Sequence, residues 1–222
     1  MDWDSVTWAS FIKGLTDYRD REYLKASRVS GEHAYLSVLE EFAPLSILER
    51  RTHVDSLILF LNRWSCHFPT KTAETRTALT RWIEREASAL GEIATATLCD
   101  EQLSERIAEL ERLYASLIAL RQAPEARIPT MGDAAASKIL HLMVPDLFVM
   151  WDREIKKGGW GYGRFMLRMR DLAIDLRETL APPEARSDVE GYLQHELGYP
   201  VRKSLAKFID EFNWWLAWNP EP

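Results

Sequence analysis

Cysteine is scarce in this chain. The 222 residues contain only two, Cys66 and Cys99, which excludes a disulfide framework and a metal or iron–sulfur site held by four thiolates. Cys66 is followed by His67, but this pair has no further ligands at metal spacing, so we expect neither a metal nor another cofactor. Such a low cysteine content favours a reducing compartment, and we expect a cytoplasmic protein.

Long apolar runs and a basic leader are also missing. Even the longest runs, such as residues 57–61, are far shorter than the roughly 20 residues of a membrane span, so no membrane association is expected. The N-terminus is acidic and does not resemble a signal peptide. The net charge of −6 argues against a surface covered with basic charge for nucleic acid, although a local basic patch is compatible with it.

Strand-like alternation is absent, and nearly every segment has the helical period. The sequence predicts helices over residues 53–65, 70–90, 100–120, 162–180, 184–197 and 203–218. We therefore expect an all-α fold. Residues 1–222 form one domain, with a lobe of about 54–180 and a second lobe made from both termini. The oligomeric state is not indicated by the sequence.

The candidate site residues are concentrated in residues 128–152, IPTMGDAAASKILHLMVPDLFVMWD. Pro129 stiffens a turn, and Gly132 permits a tight connection into a helix. Small residues at 134–136 let another backbone or a phosphate approach the free N–H groups of the first turn. Ser137, Lys138 and His141 form the polar side of this helix, which Pro145 ends.

Asp152 follows an apolar run, residues 147–151. Two interpretations are open. Asp152 opens the next helix as an N-cap, a position that aspartate commonly takes. Alternatively, it supplies a carboxylate in a dry environment, where such a group is effective in stabilising positive charge.

The same segment resembles the helix–hairpin–helix DNA glycosylases, the superfamily of endonuclease III and the adenine and alkyl-base glycosylases. Residues 128–132 match the hairpin, Ala135 and Ala136 match the small pair, and the catalytic aspartate falls on Asp152. Thr130 replaces the first hairpin glycine, and the cysteine cluster of the endonuclease III branch is absent. Ala134 stands where bifunctional members carry a Schiff-base lysine, so the resemblance implies a monofunctional enzyme.

By this resemblance, the fold is that of the glycosylases and the partner is DNA. Asp152 would stabilise the positive charge that builds on the sugar as the N-glycosidic bond breaks. The target base would be turned out of the duplex against aromatic walls, for which the candidates are Trp151, Trp160 and Tyr162. Backbone around Thr130, Gly132 and Ala134 would hold a phosphate without reading sequence.

A basic stretch follows Asp152. Residues 153–170 contain six cations against one acid, Glu154, with Trp160 and Tyr162 among them, and basic residues interleaved with aromatics suit a nucleic-acid backbone. The candidate DNA contacts here are Arg153, Lys156, Lys157 and Arg164, together with Lys138. Any DNA binding is expected to be weak, non-specific and sensitive to salt.

Less specific interpretations of the same residues remain. The position of Lys138 is typical of a solvated helix residue rather than of a catalytic amine. The position of His141 is typical of a surface or hydrogen-bonded histidine. Trp214, Trp215 and Trp218 are expected to pack in the core or between lobes. At the level of function, the alternatives are a non-catalytic helical module that binds DNA or protein, and an enzyme acting on modified bases or nucleotides.

Overall fold

The structure is a computed structural model. It describes residues 3–24, 31–68, 73–122, 128, 130–152, 155 and 159–219. Within these ranges every regular element is helical and no strand occurs, which confirms the all-α fold class. The α-helices are α1 (Trp8–Tyr18), α2 (Gly31–Phe42), α3 (Val54–Arg63), α4 (Ala73–Glu92), α5 (Leu103–Ala119), α6 (Asp133–Met143), α7 (Tyr162–Asp175), α8 (Val189–Leu197) and α9 (Leu205–Trp218). Short π-helical turns extend α1 over Arg19–Leu24 and α7 over Leu176–Leu180, and a 3₁₀ turn at Glu49–His53 precedes α3.

The helices predicted from the period are present, with shifts at their ends. The predicted helix over 184–197 begins only at Val189, because residues 183–187 form turns and the side chain of Asp188 caps the helix by accepting from the Gly191 N–H. Gly198 ends this helix in the left-handed conformation, with φ of 65°, as its missing Cβ permits.

Asp152 does not begin a described helix. The next helix after it is α7, which starts ten residues further on with Gly161 as its N-cap. The expectation that Asp152 opens the following helix is therefore wrong for α7. The turn at this point is closed by backbone, since the Ile155 N–H donates to the Asp152 carbonyl at 3.2 Å.

Helix α6 lies at the centre of the molecule. Every residue from Ala135 to Met143 is buried, and α6 packs against α3 and α5. A helix that is buried on all sides must satisfy its polar side chains internally. The polar side predicted for α6 exists, but it faces other protein groups and a cleft rather than bulk solvent.

The two ends of the chain pack together through α1 and α9. Gly14 makes this approach possible, because a Cβ at this position would lie only 2.7 Å from the Phe212 ring and 2.9 Å from the Trp215 ring. The buried apolar residues form one continuous core, and the division into two lobes stays a prediction. Among the described residues, no helix is long and apolar enough to cross a membrane.

Candidate functional site

Two neighbouring clefts open on one side of α6. The larger encloses about 330 Å³ and the smaller about 270 Å³. Four residues line both of them: Trp64, Ser65, Lys138 and Asp152. Asp152 is half-buried in this shared wall, so its carboxylate lies at a cleft rather than inside the core.

The smaller cleft contains most of the predicted hairpin site. Thr130, Gly132, Ala134 and Ala135 line it, together with Lys138 and Asp152. The N-cap of α6, Gly132, has no side chain to cap the helix. Five residues that the sequence assigned to one site, Thr130, Gly132, Ala134, Lys138 and Asp152, are thus brought to one surface depression.

Ser137 fixes the backbone that carries Asp152. Its hydroxyl accepts from the Trp151 N–H at 2.8 Å and donates to the Trp151 carbonyl at 3.2 Å. Both groups are buried, so these bonds also satisfy polar atoms that water cannot reach. Ser137 of α6 therefore holds Trp151, the residue before Asp152. The next residue of α6, Lys138, lines the cleft beside Asp152.

His141, one turn further along α6, is structural. The Tyr35 hydroxyl donates to its Nε2 at 2.8 Å, and its Nδ1–H donates to the Phe148 carbonyl at 2.5 Å. Burial lowers the pKa of His141 to about 3, so the ring is neutral. Of the two sequence interpretations, the hydrogen-bonded histidine is correct and the surface histidine is not.

Lys138 is not the solvated helix residue that its position suggested. Only 4% of its surface is exposed, and its ammonium nitrogen lies 5.2 Å from the centre of the Trp64 ring. Trp64 itself follows the end of α3, where Ser65 takes a left-handed conformation with φ of 56°. This turn, unusual for a residue with a Cβ, presents Trp64 to both clefts.

Aromatic rings from distant parts of the chain form the wall of the larger cleft. They are Tyr18, Trp64, Trp214 and Trp218. Tyr18 meets Trp214 edge to face with ring centres 5.4 Å apart, and Trp214 lies 6.0 Å from Trp218. Trp215 is buried in the core, whereas Trp214 and Trp218 line the cleft. The alternative expectation for these two, a position between lobes, stays a prediction.

A buried charge cluster lies behind this wall. It consists of Glu32, Lys203, Lys207, Asp210 and Glu211. The Lys203 ammonium donates to Glu32 at 2.5 Å and to Glu211 at 2.7 Å, and Lys207 donates to Asp210 at 3.0 Å. Buried ions are retained only when they are paired and hydrogen-bonded in this way.

The cluster holds one more carboxylate than ammonium groups. Burial opposes ionisation of Glu32, but Lys207 and Lys203 outweigh it and hold the pKa of this carboxyl at about 2. Burial raises the pKa of Asp210 to about 6, against the opposing effect of Lys207. Glu32 also lines the larger cleft and accepts from the Tyr18 hydroxyl at 3.1 Å, so the cluster and the cleft share a boundary.

The predicted aromatic walls lie elsewhere. Trp151 and Tyr162 are buried, and Trp160 packs on Trp3 with ring centres 5.4 Å apart. The Tyr162 hydroxyl donates to the Val149 carbonyl at 3.1 Å. None of the three predicted rings lines either cleft, because their apolar faces are already covered by neighbouring rings.

The basic stretch is partly occupied by internal contacts. Arg164 stacks over Trp160 at 4.6 Å, away from both clefts. Arg168 forms an ion pair with Asp4, and Arg170 donates to the Asp100 carbonyl at 3.2 Å. The remaining predicted DNA contacts of this stretch, Arg153, Lys156 and Lys157, lie outside the described residues.

Sequence reasoning missed the charge cluster and most of the cleft wall. One signal was present: α9 is so apolar that its four polar side chains, Lys207, Asp210, Glu211 and Asn213, have no solvated face to occupy, and all four are buried. The tryptophans that face the cleft had no such signal, because their spacing is that of ordinary core residues.

The cysteines do not provide a nucleophile. Burial raises the pKa of the Cys66 thiol, which lies at the smaller cleft, so it stays protonated near neutral pH. In the part of the chain that the structure describes, no group of three or more His, Cys, Asp or Glu residues is arranged to hold a metal ion.

Comparison of the chain with protein-family models, with curated proteins and with solved structures found no match. The resemblance of residues 128–152 to the helix–hairpin–helix glycosylases therefore stays a prediction from those residues.

Proposed function

We propose that the protein recognises a nucleobase and hydrolyses its N-glycosidic bond, as a monofunctional DNA N-glycosylase with Asp152 as the catalytic carboxylate. One observation carries the proposal: Asp152 lines two clefts that adjoin the start of α6 on one side and a wall of tryptophans on the other. If Asp152 served only as a helix N-cap, nothing would require its carboxylate to line a cleft.

In this proposal the base enters the larger cleft and stacks on the aromatic wall, where Trp64, Trp214 and Trp218 replace the walls predicted from sequence. Flat bases stack favourably on aromatic side chains. The C1′–N bond breaks and its electron pair leaves with the base. Asp152 stabilises the positive charge on the sugar and accepts a proton from the water that attacks C1′.

The replacement of Asp152 by asparagine tests this role. Asp152→Asn keeps the shape of the side chain but removes its charge. We expect base release from damaged or modified duplexes to fall by about 10²–10³-fold, with thermal unfolding close to that of the wild type. The measurement is a base-release assay over a panel of lesions, paired with a melting curve.

Asp146→Asn is the matched control. Asp146 belongs to the same segment between α6 and Asp152, but it lines neither cleft. It should keep full activity. Full activity in Asp152→Asn would reject the catalytic role, and a wild type inactive on every lesion would favour a non-catalytic module of this fold.

A second candidate, an enzyme that acts on a free modified nucleotide, is favoured by the charge distribution. The protein carries a net charge of −6, and Arg168 and Arg170 are engaged within the protein. Salt dependence separates the two candidates. If DNA is the partner, neutralising Lys156 and Lys157 should flatten the salt slope of DNA binding by about two contacts. An unchanged slope would remove these lysines from the DNA footprint, and hydrolysis of free nucleosides without DNA binding would select the second candidate.

A further inference from the structure

Lys138 differs from the other buried lysines of the described chain. Lys203 and Lys207 each lie within 3.5 Å of at least two carboxylates of the charge cluster. Among the described residues, the Lys138 ammonium has neither a hydrogen bond nor an ion pair, and its contact is with the ring of Trp64. A buried charge without an acceptor is costly, and within the described part of the chain this ammonium has no such partner.

The Lys138 side chain faces the clefts. Side chains on a helix lean towards its N-terminus, so Lys138 extends over the first turn of α6. The residues of that turn which line the smaller cleft, Ala134 and Ala135, are small and leave space there. Lys138 lines both clefts, and a ligand in either one therefore meets its ammonium.

Two cations that line the larger cleft have no acceptor among the described residues. Besides Lys138, the cleft is lined by Arg63, an exposed residue with no hydrogen bond or ion pair to any other described residue. Glu32, by contrast, already accepts from Lys203 and Tyr18, and its side chain has no exposed surface. The Asp152 carboxylate and the Ser65 hydroxyl also line this cleft and can accept. The part of a ligand that meets Lys138 and Arg63, however, is complementary to them when it presents acceptors.

We infer that the Lys138 ammonium donates hydrogen bonds to acceptors of a flat heterocycle bound in the cleft. The cleft then selects bases that present a carbonyl oxygen over bases that present an amino group in its place. The inference rests on the proposed function, since it takes the ligand to be a base. An ammonium group offers three donors and no acceptor. A carbonyl oxygen satisfies it, whereas an amino group is itself a donor and leaves the buried ammonium unpaired.

Matched nucleosides test the selection without any bond being broken. Inosine and adenosine differ by a carbonyl in place of an amino group, and so do uridine and cytidine. Quenching of tryptophan fluorescence reports binding, because three tryptophans line the larger cleft. For the wild type, we expect the carbonyl member of at least one pair to bind roughly tenfold or more tightly than its amino counterpart.

Lys138→Met keeps most of the side-chain volume and removes the donors. We expect it to reduce the preference to about twofold or less. The matched control is Lys13→Met, because Lys13 also lies over a tryptophan ring, 5.0 Å from the centre of Trp215, but on the exposed face of α1 and outside both clefts. Lys13→Met should keep the wild-type preference. Melting curves of both variants show whether they are folded.

Equal binding of both members of each pair by the wild type, or no quenching by any of the four nucleosides, would overturn the inference even if Lys138→Met failed to fold. So would a preference that survives in folded Lys138→Met. Inorganic phosphate is the remaining probe: displacement of both nucleosides by phosphate, with no preference between them, would show that Lys138 binds an anion instead. Selective nucleoside binding without base release from DNA would keep this inference and reject the hydrolytic function.

Discussion

Two groups of aromatic side chains in this protein have similar composition and opposite surroundings. The sealed cluster, beside α7, consists of Trp3, Tyr114, Trp151, Trp160, Tyr162 and Phe165, whose rings contact one another at centre distances of 4.3–6.4 Å. The cleft wall consists of Tyr18, Trp64, Trp214 and Trp218. The sequence predicted a base pocket from Trp151, Trp160 and Tyr162 of the first group, yet only the second group lines a cleft.

The difference lies in what the rings meet. In the sealed cluster, rings pack mostly on rings, although Arg164 also stacks over Trp160. The Trp3 indole N–H donates to Asn213 at 2.8 Å. In the cleft wall, ring faces meet cations: Lys207 and Lys138 lie 4.9 and 5.2 Å from the Trp64 ring centre. The charge cluster therefore borders the cleft wall, whereas the sealed cluster borders neither cleft.

Removal of a charge from the cluster beside the cleft wall has the largest expected effect. Lys203→Met leaves Glu32 and Glu211 without their closest cation. We expect the free energy of unfolding to fall by about 3–5 kcal/mol, because two buried carboxylates lose a partner. Chemical denaturation measures the change. Lys13→Met removes an exposed ion pair to Asp17 and should cost at most about 1 kcal/mol; a similar loss in both variants would contradict this account.

Truncation of one tryptophan from each group should separate packing from binding. Trp151→Ala opens a cavity in the sealed cluster, and we expect a loss of about 3–5 kcal/mol in unfolding free energy. Trp218 is 55% exposed, so Trp218→Ala should cost only about 0.5 kcal/mol while weakening nucleoside binding. Urea unfolding and fluorescence titration of both variants test this prediction. If Trp218→Ala were the less stable variant, the two groups would not differ as described.

The neutral His141 below the cleft predicts a smaller, pH-dependent effect. Burial holds its pKa at about 3, against about 6.5 in an unfolded chain. Between these values the unfolded state binds the extra proton, so this contribution to stability is complete above pH 6.5 and is lost as the pH falls towards 3. The expected loss is about 1.4 kcal/mol per pH unit.

Asp210 opposes this trend in part of the range. Its pKa of about 6 lies above the ordinary 3.8, so the folded state gains a proton between these values and is stabilised as the pH falls. The wild-type profile alone therefore mixes two effects. The difference in unfolding free energy between wild type and His141→Gln isolates the histidine, and it should shrink as the pH is lowered from 6.5 to 4. A difference independent of pH would show that His141 titrates normally.

Local sequence patterns predicted much of the fold and part of the candidate site. Helical period predicted α3 to α9 because apolar side chains on one stripe must be buried together. The small residues before Ser137 and the acid at Asp152 indicated one site because these residues lie within a single short segment, whose turn and helix can bring them together. The structure places that segment at a cleft, although the ligand is still a proposal.

The sequence by itself determined helices α3 to α9 and their approximate ends, and it grouped Asp152 with the start of α6 as one candidate site. Only the tertiary structure decided which tryptophans face open space and which acids and lysines meet in the interior. Lys203 lies 171 residues from its partner Glu32, and Trp64 and Trp218 are likewise far apart in the sequence. Their proximity depends on how α1, α2, α3 and α9 pack, and no local pattern encodes a contact between residues so far apart.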